Sequence, residues 1–262
     1  MKNFPVLRGF RKQIDVINAL VFREMLTRYG RGNIGFLWVI GEPVIFCVGV
    51  SVMWTLTRPA REHGLGMTAL VVTGYVPLTM WRHCLIRAVK AFEANGSLLF
   101  HRQVTPLDII TARSYLEVIG TIMAGIIVWL AAIGLGFMKP PADIGLLYLG
   151  FFFQSVFCMI TAFLVAALSE ISDFVEKCVN IVSYLALPFS GAFIMVSWLP
   201  PKYQWILMLS PMANNIEMIR GGQFGGAASV KYNILYDAYI TAALLIIALY
   251  LTHRVRKYLH VN

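Results

Sequence analysis

Charge is scarce in this chain. Only 13% of its 262 residues are Asp, Glu, Lys or Arg, against 58% hydrophobic, too few to coat a soluble globule of that length. Cysteine is scarce as well. Cys47, Cys84, Cys158 and Cys178 lie in or beside apolar stretches without C-x-x-C spacing, which reads as small packing residues, not a disulfide frame or metal site. His63, His83, His101, His253 and His260 are scattered, so no Cys/His/carboxylate set has ligand spacing and no metal is expected. A phosphate-binding G-x-x-x-x-G-K-[ST] is missing, since Gly221–Gly226 has neither the Lys nor a strand before it. G-x-S-x-G is missing too. The first thirty residues are basic and amphipathic, unlike a signal peptide. No repeat, Ser/Gly-rich linker or low-complexity tract divides the chain, so 1–262 reads as one domain.

What the chain does have is long apolar runs. Ile34–Thr57 holds a single charge, Glu42, and roughly 20 apolar residues in a helix cover the ~30 Å hydrocarbon core of a bilayer. Five further stretches follow, predicting an all-α integral membrane protein with six transmembrane helices at about 34–57, 67–87, 114–138, 144–168, 178–199 and 234–251. The second run is uncharged only from Met67 to Trp81, which is 15 residues, and must continue past Arg82 to cross. The excess of 22 Lys+Arg over 13 Asp+Glu does not indicate nucleic acid, because the basic residues sit at the ends of apolar runs. Sixteen lie on the side holding both termini and six on the other, so both termini are expected in the cytoplasm. In that count Arg220 is an external charge, and Glu170–Lys177 is a short cytoplasmic loop.

Three segments outside the spans carry information. In 13–29, Ile14, Ile17, Val21 and Met25 recur at helical spacing while Asp15, Arg23, Glu24 and Arg28 interrupt any span, predicting an N-terminal interfacial amphipathic helix. In Ala91–Gln103, Leu98, Leu99 and Phe100 stand together in a cytoplasmic segment and need a covering surface. Pro106 ends that segment and starts the third helix. In Pro200–Asn233, apolar stretches too short to cross, broken at Ser210-Pro211 and stopped by glycines, predict two outer re-entrant helices before the sixth span.

The run Arg23-Glu24-Met25-Leu26-Thr27-Arg28-Tyr29-Gly30-Arg31, then Gly35-Phe36-Leu37-Trp38 and Glu42-Pro43, resembles the opening of membrane subunits in type 2 ATP-binding-cassette polysaccharide exporters. The Leu199-Pro200 break and the Ser210-Pro211 to Arg220 segment are similar to that family's outer re-entrant helices. Within the family, Glu42-Pro43 and the Arg23–Arg31 run resemble capsular-polysaccharide permeases more than O-antigen permeases. The resemblance implies a multi-pass permease of the bacterial inner membrane moving lipid-linked capsular polysaccharide outward. It implies no catalysis by this chain: ATP and Mg belong to two copies of a cytoplasmic ATPase, and the permease has no cofactor of its own. The implied partners are a second copy of the chain, the ATPase pair, the lipid-linked polysaccharide, a periplasmic adaptor and an outer-membrane exporter. Export of O-antigen, teichoic acid or another glycan is the nearest alternative; a membrane glycosyl- or acyltransferase or a scaffold for a polymerase is more distant.

Candidate channel residues are Trp38, Glu42, Tyr75, Trp81, Arg82, Arg87 and Tyr184. Aromatic faces suit sugar C–H groups, although Trp38 also fits an interfacial belt. Glu42, Arg82 and Arg87 are intramembrane or near-membrane charges, which normally face a bundle interior or water. Lys90 reads instead as a snorkelling positive-inside residue. Leu98, Leu99, Phe100, His101 and Arg102 are the candidate ATPase-coupling residues, apolar centre and polar rim.

Overall fold

The computed structural model describes residues 5–29, 34–57, 61–62, 64–99 and 104–259. Apart from a two-residue antiparallel ribbon pairing Arg61–Glu62 with Leu65–Gly66, its regular structure is helical. The helices are α1 (Pro5–Tyr29), α2 (Ile34–Thr57), α3 (Met67–Ala88), α4 (Gly96–Leu99), α5 (Pro106–Gly134), α6 (Ile144–Ile171), α7 (Asp173–Leu185), α8 (Pro201–Met208), α9 (Pro211–Phe224) and α10 (Ile234–Leu259). Four of them, α2, α5, α6 and α10, are long and apolar enough to cross a membrane.

The α2 bounds coincide with the first expected span, and α3 starts where the second was expected. The uncharged Met67–Trp81 stretch is buried almost throughout, so α3 is the central helix of the bundle. That explains its composition: an enclosed helix can carry Arg82 and Arg87 beyond an apolar run too short to span. α5 begins at Pro106, where the third helix was expected to start, eight residues ahead of the apolar span expected from Ser114. Thr105 and Asp108 form a reciprocal capping box, with the Thr105 N–H donating to Asp108 Oδ2 at 2.8 Å, and Pro106 occupies the first turn. Such a start satisfies orphan N–H groups that would otherwise fray the helix.

Two expectations need correction. The fifth apolar run does not form one helix over 178–199. α7 ends at Leu185 and is 13 residues long, about 20 Å. Pro188 and Gly191, whose φ is +73°, turn the chain into short 3-10 segments beyond it. The run is uncharged throughout, but Pro188 and Gly191 break the helix within it. Nor is Glu170–Lys177 a loop. α6 runs to Ile171 and α7 starts at Asp173, so one extended residue, Ser172, joins them.

After the turn, α8 and α9 are separated at Ser210-Pro211, the expected break, and Pro211 sits in the first turn of α9. α9 is buried from Met212 to Gln223 and packs against α6. The approach is close enough that a Cβ on Gly222 would lie 2.4 Å from the Leu147 backbone nitrogen. Gly74 of α3 is tighter still: a Cβ there would lie 1.9 Å from the Ala192 carbonyl oxygen. Between these helices, Gln154 of α6 donates to the Pro77 carbonyl at 3.0 Å and accepts from Asn215 of α9 at 3.1 Å. One amide thus ties three helices together.

Candidate functional site

A cavity of about 500 Å³ lies between α2, α3, α5 and α7. From α3 it takes Tyr75, Thr79, Arg82, His83, Ile86 and Arg87, residues three to four apart that fall on one helical face. α2 contributes Trp38, Glu42 and Phe46, α5 contributes Glu117, and α7 contributes Tyr184. Six of the seven candidate channel residues therefore line one space. Trp81 does not; it is buried in the apolar core on another face of α3, where its indole N–H has no partner among the described residues.

The charges in the cavity are unequally matched. Arg87 Nε lies 3.5 Å from Glu117 Oε1. His83 stands between two carboxylates, 3.8 Å from Glu42 on one ring nitrogen and 3.8 Å from Glu117 on the other. Arg82 has no carboxylate at ion-pair distance among the described residues. Its guanidinium carbon lies 4.4 Å from the centroid of the Tyr184 ring, and its Nε makes no hydrogen bond among the described residues. A cation held on an aromatic face keeps N–H groups for a ligand. Sequence reasoning missed His83 and Glu117 as members of this site. Their signals were weak: Glu117 was visible as an intramembrane acid, and His83 only as the neighbour of Arg82.

Lys90 does not extend the basic sector of α3. The helix ends at Ala88, and Lys90 adopts φ +48°, turning the chain toward α7. Its ammonium lies 2.9 Å from Asp173 and 3.5 Å from Glu93, so the lipid-snorkelling reading is replaced by an ion pair. Hydrogen bonding to Lys90 holds the Asp173 carboxyl below its usual range, and the same bond pushes the lysine up. Residues 92–95 are strapped down as well. Glu170 accepts from the backbone N–H groups of Phe92 and Glu93 at 3.1 and 3.0 Å, and Arg23 of α1 donates to Asn95 at 3.1 Å. Leu98 and Leu99 are half-buried on α4, and Leu99 packs against the main core. Phe100, His101 and Arg102 lie outside the described residues.

A second polar centre was not foreseen. Arg220, counted from sequence as an external charge, is completely buried. It donates to the carbonyls of Gly191 and Ala192, both at 2.7 Å, and lies 3.4 Å from Glu217. Glu217 accepts in turn from the backbone N–H groups of Val196 and Lys231. The pair fastens the turns on either side of α8 and α9 to α9 itself. In the sequence it is an i,i+3 Glu–Arg pair beside glycines, indistinguishable from a solvated surface pair.

A helical membrane chain with a charged, aromatic-lined cavity among its helices has the makings of a transport subunit, and the chain belongs to the ABC-2 type transporter family, whose sequence pattern matches residues 15–224. It is 35% identical over 245 residues to the capsule polysaccharide export inner-membrane protein CtrC of Neisseria meningitidis serogroup B, covering 94% of this chain and 92% of that protein. It is 36% identical over 242 residues to the capsule polysaccharide export inner-membrane protein BexB of Haemophilus influenzae, covering 92% and 91%. The polysialic acid transport protein KpsM of Escherichia coli is 26% identical over 256 residues, with 95% and 96% covered.

Proposed function

We propose that this chain is the inner-membrane permease subunit of an ATP-driven exporter of lipid-linked capsular polysaccharide. The observation that carries the reading is its similarity, over more than nine-tenths of its length, to capsule export proteins of two organisms. The chain catalyses nothing itself; a separate cytoplasmic ATPase binds and hydrolyses ATP with Mg.

In this reading the chain crosses the membrane six times with both termini in the cytoplasm. α2, α3, α5, α6 and α10 are crossings, and α7 with the turns to Leu199 makes the fifth. α8 and α9 re-enter from the outer side, which is compatible with the cover that protein gives α9. α1 lies along the inner surface, its Phe10, Ile14, Phe22 and Leu26 exposed toward lipid.

The cavity is one half of a glycan path. Trp38, Tyr75 and Tyr184 offer flat apolar faces to sugar C–H groups. Arg82 supplies a cation for an acidic glycan or the phosphate of its lipid anchor, while Glu117 beside Arg87, and Glu42 beside His83, keep the remaining wall polar. Two copies pair to enclose the path, because six helices are few to surround a hydrated polymer. Exposed apolar side chains on α2 and α7, such as Phe46 and Ile181, would be covered by that pairing. The 91–103 segment delivers ATPase motion to α6 and α7 through the bonds that Lys90, Phe92 and Glu93 make at its start. A periplasmic adaptor and an outer-membrane exporter complete the route.

The test is replacement of the native permease gene by an inactive allele in a capsulated host carrying this system. Loss of surface capsule with intracellular polysaccharide retained, restored by the wild-type chain and accompanied by co-purification of an ATPase, is the expected result. Normal surface capsule without the chain would refute the proposal.

A further inference from the structure

A smaller pocket of about 310 Å³ opens beside the cavity, where α1 crosses the ends of α3 and α5 and the turn before α4. Its polar lining is Arg23, Glu24 and Thr27 of α1, Arg87 of α3, Asn95, and Arg113 of α5. Three of these belong to the Arg23–Arg31 run that stands out in the sequence, and their spacing of one and four residues places them together on α1. No part of the proposed export mechanism uses them.

Three guanidinium groups face a single carboxylate in this lining. Arg113 Nε lies 3.0 Å from Glu24, and another of its nitrogens donates to the Arg87 carbonyl at 3.1 Å. Arg87 is balanced from the other side by Glu117. Arg23 bonds only a neutral amide, Asn95, among the described residues. The pocket thus keeps a positive excess, centred on Arg23. Its depth is set by α1, whose Phe22 and Leu26 are 59% and 48% exposed beside the pocket residues. A helix with exposed apolar residues next to a basic pocket sits where acyl chains meet headgroups. Basic pockets between membrane helices on the cytoplasmic side suit anionic lipid headgroups.

From this we infer that the pocket binds the headgroup phosphate of an anionic inner-leaflet phospholipid, with Arg23 as the principal ligand and Arg87 and Arg113 at its flanks. The inference rests on the inner-surface placement of α1 proposed above. The bound phosphate would complete the joint between α1, the 93–95 turn and α5, so that the coupling segment is held firmly only in an anionic membrane.

The experiment uses the full chain purified in a neutral detergent, with the bound fraction read by native mass spectrometry and the unfolding temperature read alongside. Phosphatidylglycerol, phosphatidylcholine and inorganic phosphate are added separately. Phosphatidylglycerol should bind and raise the unfolding temperature, whereas the other two should do neither. Arg23→Gln should weaken phosphatidylglycerol binding by about tenfold, the loss of one charge-assisted hydrogen bond. Thr27→Glu, a change at an exposed helix position, should do the same by repulsion and guards against a misfolded Arg23 variant. Equal stabilisation by phosphatidylcholine, or unchanged phosphatidylglycerol binding in both variants, would overturn the site. Equal stabilisation by inorganic phosphate would overturn the lipid assignment. None of these readouts involves export, so the result stands apart from the capsule assay.

Discussion

The guanidinium of Arg82 rests 4.4 Å from the centre of the Tyr184 ring, so the charged end of α3 is clasped by the far end of α7. The contact closes one side of the cavity and separates the two arginines of α3 in kind. Arg87 already has Glu117, whereas Arg82 is held by an aromatic face and keeps donors unspent.

Arg82→Ala should therefore reduce capsule export more than Arg87→Ala, at equal insertion and equal ATPase binding. One lost charge-assisted hydrogen bond corresponds to about tenfold in glycan affinity. Export measured by surface capsule per cell checks it. Lys202, exposed at the start of α8, provides the control, and Lys202→Ala should export normally.

The coupling surface can be probed at Leu98. Leu99 is a poorer probe, because it packs on the core and its loss would confuse folding with docking. Leu98→Asp should abolish ATPase co-purification while the permease still inserts and accumulates. A variant that recruits the ATPase at the normal ratio would remove α4 from the coupling role.

Glu217 and Arg220 should be a stability centre. Removing one partner of a buried ion pair costs about 3–5 kcal/mol, so Glu217→Ala should lower the unfolding temperature of the purified chain clearly. It should also expose the 228–231 turn to proteolysis, because Glu217 bonds the Lys231 backbone.

Gly74→Val should prevent accumulation of folded protein. The Ala192 carbonyl occupies the position of the new Cβ, and backbone cannot retreat cheaply from a packed core. Membrane levels of the tagged variant measure this directly, and a normal level would mean that α3 and the 191–196 turn can separate.

These residues also mark how far sequence carries. Helix positions were legible where hydropathy and punctuation agree, as in α2, α3 and α6, and at Ser210-Pro211. In the fifth run hydropathy and punctuation conflict, and Pro188 and Gly191 end the helix that the apolar composition alone predicts. The cavity was legible through its unusual residues: the charges Glu42, Arg82 and Arg87, the deeper aromatics Tyr75 and Tyr184, and Trp38 at the end of the first span are six of its lining side chains. His83 and Glu117 were not, because their roles depend on α3 and α5 lying side by side. Arg220 was placed outside for the same reason. Its partners are carbonyls almost thirty residues earlier, and no local pattern announces such a contact.

In the proposed export path, glycan passes the α3 face bearing Tyr75 and Arg82. A photoreactive amino acid placed at Tyr75 or Tyr184, in cells whose exporter is stalled by a hydrolysis-deficient ATPase, tests this most directly. Tyr239 is 76% exposed on α10 and is the reference position. Permease–polysaccharide adducts, detected with anti-capsule antibody, are expected at Tyr75 and Tyr184 and not at Tyr239. Adducts at Tyr239 alone, or none at Tyr75 while the unstalled variant exports normally, would contradict it.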